Sequence, residues 1–86
     1  MIKYVFATRN KKSGNYNLPQ FYDFQKENAA EVFTISAKET PASGIEAIKE
    51  LEVYYIGTFD TKTGVLETDI DFIIDLGSVI DGKQTN

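Results

Sequence analysis

Two five-residue segments, Asn10-Lys11-Lys12-Ser13-Gly14 and Asp60-Thr61-Lys62-Thr63-Gly64, follow one template: Asn or Asp, any residue, Lys, Ser or Thr, Gly. A type I turn closed by a left-handed glycine accounts for that order. The Asn or Asp side chain initiates the bend, and Gly takes positive φ without a Cβ clash. Strand patterning precedes each turn. Ile2, Tyr4 and Phe6 alternate with Lys3, Val5 and Ala7 before the first, and residues 53–59 are aromatic and β-branched before the second. Two hairpins follow from this. The lysine is the one templated residue without a role in the turn.

The first return strand is expected to run from Tyr16 and Leu18 toward Phe21, Tyr22 and Phe24. Pro19 has no amide to donate, which marks an edge or an irregular join. The second covers residues 65–71, with Leu66, Ile70 and Phe72 on one parity and Glu67, Asp69 and Asp71 on the other. Between the hairpins, Ala29, Ala30, Phe33 and Ala37 recur at three- and four-residue intervals and predict a helix over residues 25–38. Val32, Thr34 and Ile35 lower its propensity, so packing on a sheet must stabilise it. Thr40-Pro41 ends it. Ser43-Gly44-Ile45-Glu46 has the form of a capping box and predicts a short helix over residues 44–50. The fold class is therefore α+β: an antiparallel, ββαββ-like sheet of two hairpins with one main helix packed on one face, covering Ile2, Tyr4 and Phe6. One domain spans residues 1–76, and residues 77–86 form a C-terminal segment with a frayed end.

The chain has no His and no Cys. This removes thiol catalysis, disulfides, thiolate metal sites and the commonest general base. Serines 13, 36, 43 and 78 have no histidine to activate them. Asp69, Asp71 and Asp75 lack the spacing of a calcium loop and read as a solvated strand face. A non-catalytic protein without cofactor or metal is expected. The opening residues contain no long apolar run, so the expectation is a soluble intracellular protein with no membrane association.

Charge is divided unevenly. Residues 1–26 hold Lys3, Arg9, Lys11, Lys12 and Lys26 against Asp23, whereas residues 27–86 hold four lysines against twelve acids. The basic third surrounds several aromatic residues, a composition that suits single-stranded nucleic acid: cations meet phosphates, and exposed rings stack on unpaired bases. Candidate phosphate contacts are Lys3, Arg9, Lys11 and Lys12, and candidate stacking residues are Tyr16 and Tyr22. The formal net charge of −4 favours the alternative, an interaction or regulatory module that binds protein through an apolar surface and the acidic segment after Glu67. The sheet face opposite the helix would carry Val5, Ala7 and either Tyr54 or Ile56. It is apolar enough to call for a homodimer, with residues 70–80 completing the interface.

From Tyr4 to Tyr16, through Asn28-Ala29-Ala30 with Phe33, to Tyr55-Ile56-Gly57-Thr58-Phe59-Asp60-Thr61-Lys62-Thr63-Gly64, the order of segments resembles a known family. It is similar to the small nonstructural proteins of gokushovirus-type microviruses, phages with circular single-stranded DNA genomes, to which DNA binding is ascribed. The resemblance covers residues 1–72. It implies single-stranded DNA binding with weak sequence selectivity during genome replication or packaging, in the cytoplasm of a bacterial host. A phage or host replication protein would be a further partner. Glu31 and Val32 stand where the family often has basic helix residues.

Overall fold

The computed structural model describes residues 1–82. Strands β1 (Ile2–Asn10), β2 (Gln20–Tyr22), β3 (Leu51–Asp60) and β4 (Leu66–Asp75) form one antiparallel sheet in the order β2-β1-β3-β4. Helices α1 (Lys26–Lys38), α2 (Ile45–Lys49) and α3 (Leu76–Asp81) complete an α+β fold. Both templated turns form as their residues require. Asn10 Oδ1 accepts from the amides of Lys12 and Ser13 at 2.9 and 3.0 Å, and Asp60 Oδ1 accepts from the Lys62 amide at 2.8 Å. The Gly14 and Gly64 amides donate to the Asn10 and Asp60 carbonyls, with φ of 77° and 78°.

Directly paired residues of an antiparallel sheet share a face. The pairings Phe6↔Tyr55, Thr8↔Val53, Tyr4↔Tyr22 and Val53↔Ile74 define the covered face. All three helices pack there. Ala29 and Ala37 of α1, Leu76 of α3, Phe6, Val53 and Tyr55 are buried together, with Ile48 of α2 at the margin. The Phe6 ring has four aromatic neighbours, Tyr22, Phe24, Phe33 and Tyr55, with centroids 5.2–5.8 Å away. Alanines at 29 and 37 let α1 approach this cluster while Phe33, one turn from each, fills it. Ala30 is exposed, since the packed stripe runs i, i+4, i+8 through 29, 33 and 37.

Several expectations are corrected. The first return strand shortens to Gln20–Tyr22, because Pro19 interrupts pairing and Tyr16 makes only an isolated bridge to Arg9. The Ser43–Glu46 capping box does not form. Pro41 instead initiates a 3-10 turn over Ala42–Gly44, and α2 begins after it without a side-chain cap. Ile2 lies beyond the helices and is 44% exposed. The boundary drawn after residue 76 falls inside α3, which is capped by Asp75 and sends Leu76, Val79 and Ile80 to the core. Ile73, Ile74, Leu76, Val79 and Ile80 therefore pack on the helical side rather than on the other face. Of the expected frayed end, residues 81–86, Asp81 and Gly82 close α3 and the rest lies outside the described residues.

Candidate interaction surface

Among the described residues, no helix covers the opposite face of the sheet. The pairings Val5↔Phe21, Lys3↔Phe59, Val5↔Gly57, Ala7↔Tyr54, Arg9↔Glu52, Phe59↔Leu66 and Tyr54↔Phe72 place these side chains on it. Two aromatic groups stand on this face. Phe21 meets Phe59 edge to face at 5.4 Å, and Tyr54 lies between Tyr16 and Phe72 at 5.4 and 5.6 Å. Between them Val5 and Ala7 are buried by their neighbours. The outer rings remain open: Phe21 is 52% exposed, Phe72 48% and Tyr16 46%. Of the two residues offered by sequence for this face, Tyr54 is placed there by its pairings with Ala7 and Phe72, whereas Ile56 falls at the irregularity between Tyr55 and Gly57, where no pairing assigns it.

The four candidate phosphate contacts are all engaged by carboxylates. Lys3 bonds Asp23 just beyond β2. Arg9 Nη1 meets Glu52 Oε1 at 3.2 Å across the β1–β3 pair, and its guanidinium lies 5.9 Å from the centre of the Tyr16 ring. Lys11 Nζ lies 2.7 Å from Asp75 Oδ1. Lys12 Nζ lies 2.9 Å from Glu50 Oε2, and that hydrogen bond and charge hold its ammonium pKa above the ordinary value. The folding pattern explains the pairing: β1 lies beside β3, so the first turn is brought to the junctions entering β3 and leaving β4. The Lys11 amide also donates to the Glu50 carbonyl at 2.8 Å.

Tyr16 and Tyr22, paired in the sequence reading, separate in space. Tyr16 is on the open face. Tyr22 belongs to the core, with Phe24 at 4.8 Å and Phe33 at 5.7 Å, so it offers no stacking platform. Phe21, one residue earlier, takes the open position, as strand alternation requires. Phe72 was the other ring missed. Its parity with Leu66 and Ile70 was visible, but its pairing with Tyr54 needed the β4 register.

The acids of β4 do not converge as a metal site. Asp71 Oδ2 lies 2.7 Å from Lys26 Nζ, which holds its carboxyl below the usual range, whereas Asp75 accepts from the Gly77 amide and from Lys11. Lys26 also lies 5.0 Å from the centre of the Tyr55 ring, whose hydroxyl pKa is raised chiefly by burial. A depression of about 200 Å³ beside Phe6, Thr8, Asn17, Leu18 and Tyr22 is smaller than a typical small-molecule site. Among the described residues no helix is long and apolar enough to cross a membrane. Comparison of this chain with family models, curated proteins and solved structures gave no match.

Proposed function

We propose that this chain is a non-catalytic interaction module whose working surface is the open face of the sheet and whose ligand is another protein. The observation that carries this reading is the half-exposure of Tyr16, Phe21 and Phe72 on a face that none of the described helices covers. Exposed aromatic rings gathered on one face are typical of a protein interface, where burial rewards large, stiff side chains. The electrostatics point the same way. Lys3, Arg9, Lys11 and Lys12 each have an anionic partner, and a chain of net charge −4 repels a polyanion at long range. On the resemblance to microvirus nonstructural proteins, the partner is a replication or capsid protein met in the bacterial host. A second copy of the chain is the simplest occupant.

Single-stranded DNA is the second reading, favoured by the presence of Lys3 and Arg9 on the same face as Tyr16 and Phe21. Exposed ion pairs are weak, and phosphates can displace their carboxylates at low salt. A photo-crosslinking amino acid placed at Phe72 or Phe21, with Glu31 on α1 as control, separates the two. The first reading requires protein adducts from the sheet positions and none from position 31. Equal adducts from all three would refute it. Adducts to DNA, with oligonucleotide affinity that falls as salt rises and is lost in Lys11→Glu/Lys12→Glu, would establish the second.

A further inference from the structure

We propose that the outer edge of β4 is a strand-addition site for an extended, basic segment of another protein. Among the described residues β4 has a strand neighbour on one side only, and residues 66–72 are exposed in succession. Its free backbone donors and acceptors form a ready template for a fifth strand. The other edge, β2, is three residues long and too short for this.

The side chains of β4 specify the occupant. Tyr55↔Asp71 and Thr58↔Glu67 put Asp71 and Glu67 on the helical side, and alternation adds Asp69. Tyr54↔Phe72 and Phe59↔Leu66 put Phe72 and Leu66 on the open side, and alternation adds Ile70. The edge therefore offers Glu67 and Asp69 along one side, beside an Asp71 already paired with Lys26, and apolar groups along the other, with Ile70 61% exposed. Cross-strand neighbours prefer opposite charge and matching apolar surface. The complementary strand alternates Lys or Arg with apolar residues. A second β4, added antiparallel with both helical layers on one side, would set acid against acid and is disfavoured. Charged edges commonly serve to prevent pairing, but that role leaves the exposed Leu66, Ile70 and Phe72 unexplained.

This inference stands apart from the open-face reading, because a peptide can fill the edge while Tyr16 and Phe21 remain uncovered. The test uses the unaltered protein and a ten-residue capped peptide alternating Lys with Val or Thr, titrated by calorimetry. Comparators are a peptide of equal composition with contiguous lysines, one with Glu for Lys, and two N-methylated on alternate residues of one or the other edge. The alternating peptide should bind at least tenfold more tightly than the block and Glu peptides. One N-methylated isomer should lose at least tenfold while the other retains affinity, since only one peptide edge faces β4. Glu67→Lys/Asp69→Lys should invert the preference toward the Glu peptide. Equal behaviour of the two N-methylated isomers, or no advantage of the alternating over the block peptide, would overturn the proposal.

Discussion

Gly57 holds the irregularity that joins β3 to both neighbours, and replacing it with Ala tests the sheet's construction. Its φ is 157°, and an added Cβ would sit 1.9 Å from the carbonyl oxygen of Glu67 and 2.9 Å from the Thr68 Cα. Both obstacles are backbone, so no side-chain rotation relieves them. Restoring an ordinary carbon–oxygen contact moves β4 outward by more than about 1 Å, enough to break the adjacent ladder bonds. Loss of two such bonds at about 1 kcal/mol each, with about 1 kcal/mol of backbone strain, gives about 3 kcal/mol. Gly64 supplies the control. It has φ of 78° with nothing within 4 Å of its added Cβ, so Gly64→Ala should cost only the left-handed strain, about 1 kcal/mol. Urea unfolding monitored by circular dichroism would measure both, and thermal midpoints should fall by roughly 12–24 °C and 4–8 °C respectively. Amide exchange in Gly57→Ala should accelerate along β4 more than along β1. A Gly57→Ala variant within 0.5 kcal/mol of Gly64→Ala would refute the reasoning that backbone contact, rather than φ alone, fixes this glycine.

The Lys26 contact lowers the Asp71 pKa in the fold, so its stabilisation is present above the unfolded carboxyl pKa and is lost as pH falls through the folded value. Thermal midpoints between pH 2 and 6 should therefore fall less steeply on acidification in Asp71→Asn than in the parent; identical slopes would remove the ion pair from the account. At the alkaline end, the raised ammonium pKa values of Lys12, Lys26 and Lys49 contribute stability below the unfolded lysine pKa that is lost as pH rises through the folded one. Asp75 should separate into two roles by substitution: Asp75→Asn keeps an acceptor for the Gly77 amide, whereas Asp75→Ala leaves the start of α3 uncapped and should cost about 1 kcal/mol more by chemical denaturation.

The hairpins and main helix were legible because local chemistry and tertiary structure agree there. Asn10, Asp60, Gly14 and Gly64 determine their turns largely within five residues, and the spacing of Ala29, Phe33 and Ala37 states a helical face directly. The failures occurred where local alternatives compete. Ser43 and Glu46 satisfy a capping-box pattern, but Pro41 offers an earlier 3-10 start and Gly44 closes it on the Pro41 carbonyl at 2.9 Å. Leu76, Val79 and Ile80 were not legible as a helix because six residues make too few turns to display its period. Only the Asp75 cap, three residues before a Ser, signalled its start.

The surface chemistry was less legible because it depends on strand order. Counting cations against Asp23 in residues 1–26 treats that segment as its own environment, whereas the order β2-β1-β3-β4 brings in Glu50, Glu52 and Asp75 from sequence separations of 38 to 64 residues. Those three acids neutralise Lys12, Arg9 and Lys11, so most of the positive asymmetry disappears when the sheet closes. The aromatic asymmetry survives the same step. A paired cation loses its field to a neighbour, but a ring on a sheet face loses its exposure only if another element covers it, and the described helices lie on the other side. What the closed sheet leaves on its surface is thus a set of half-exposed rings rather than a set of unpaired cations.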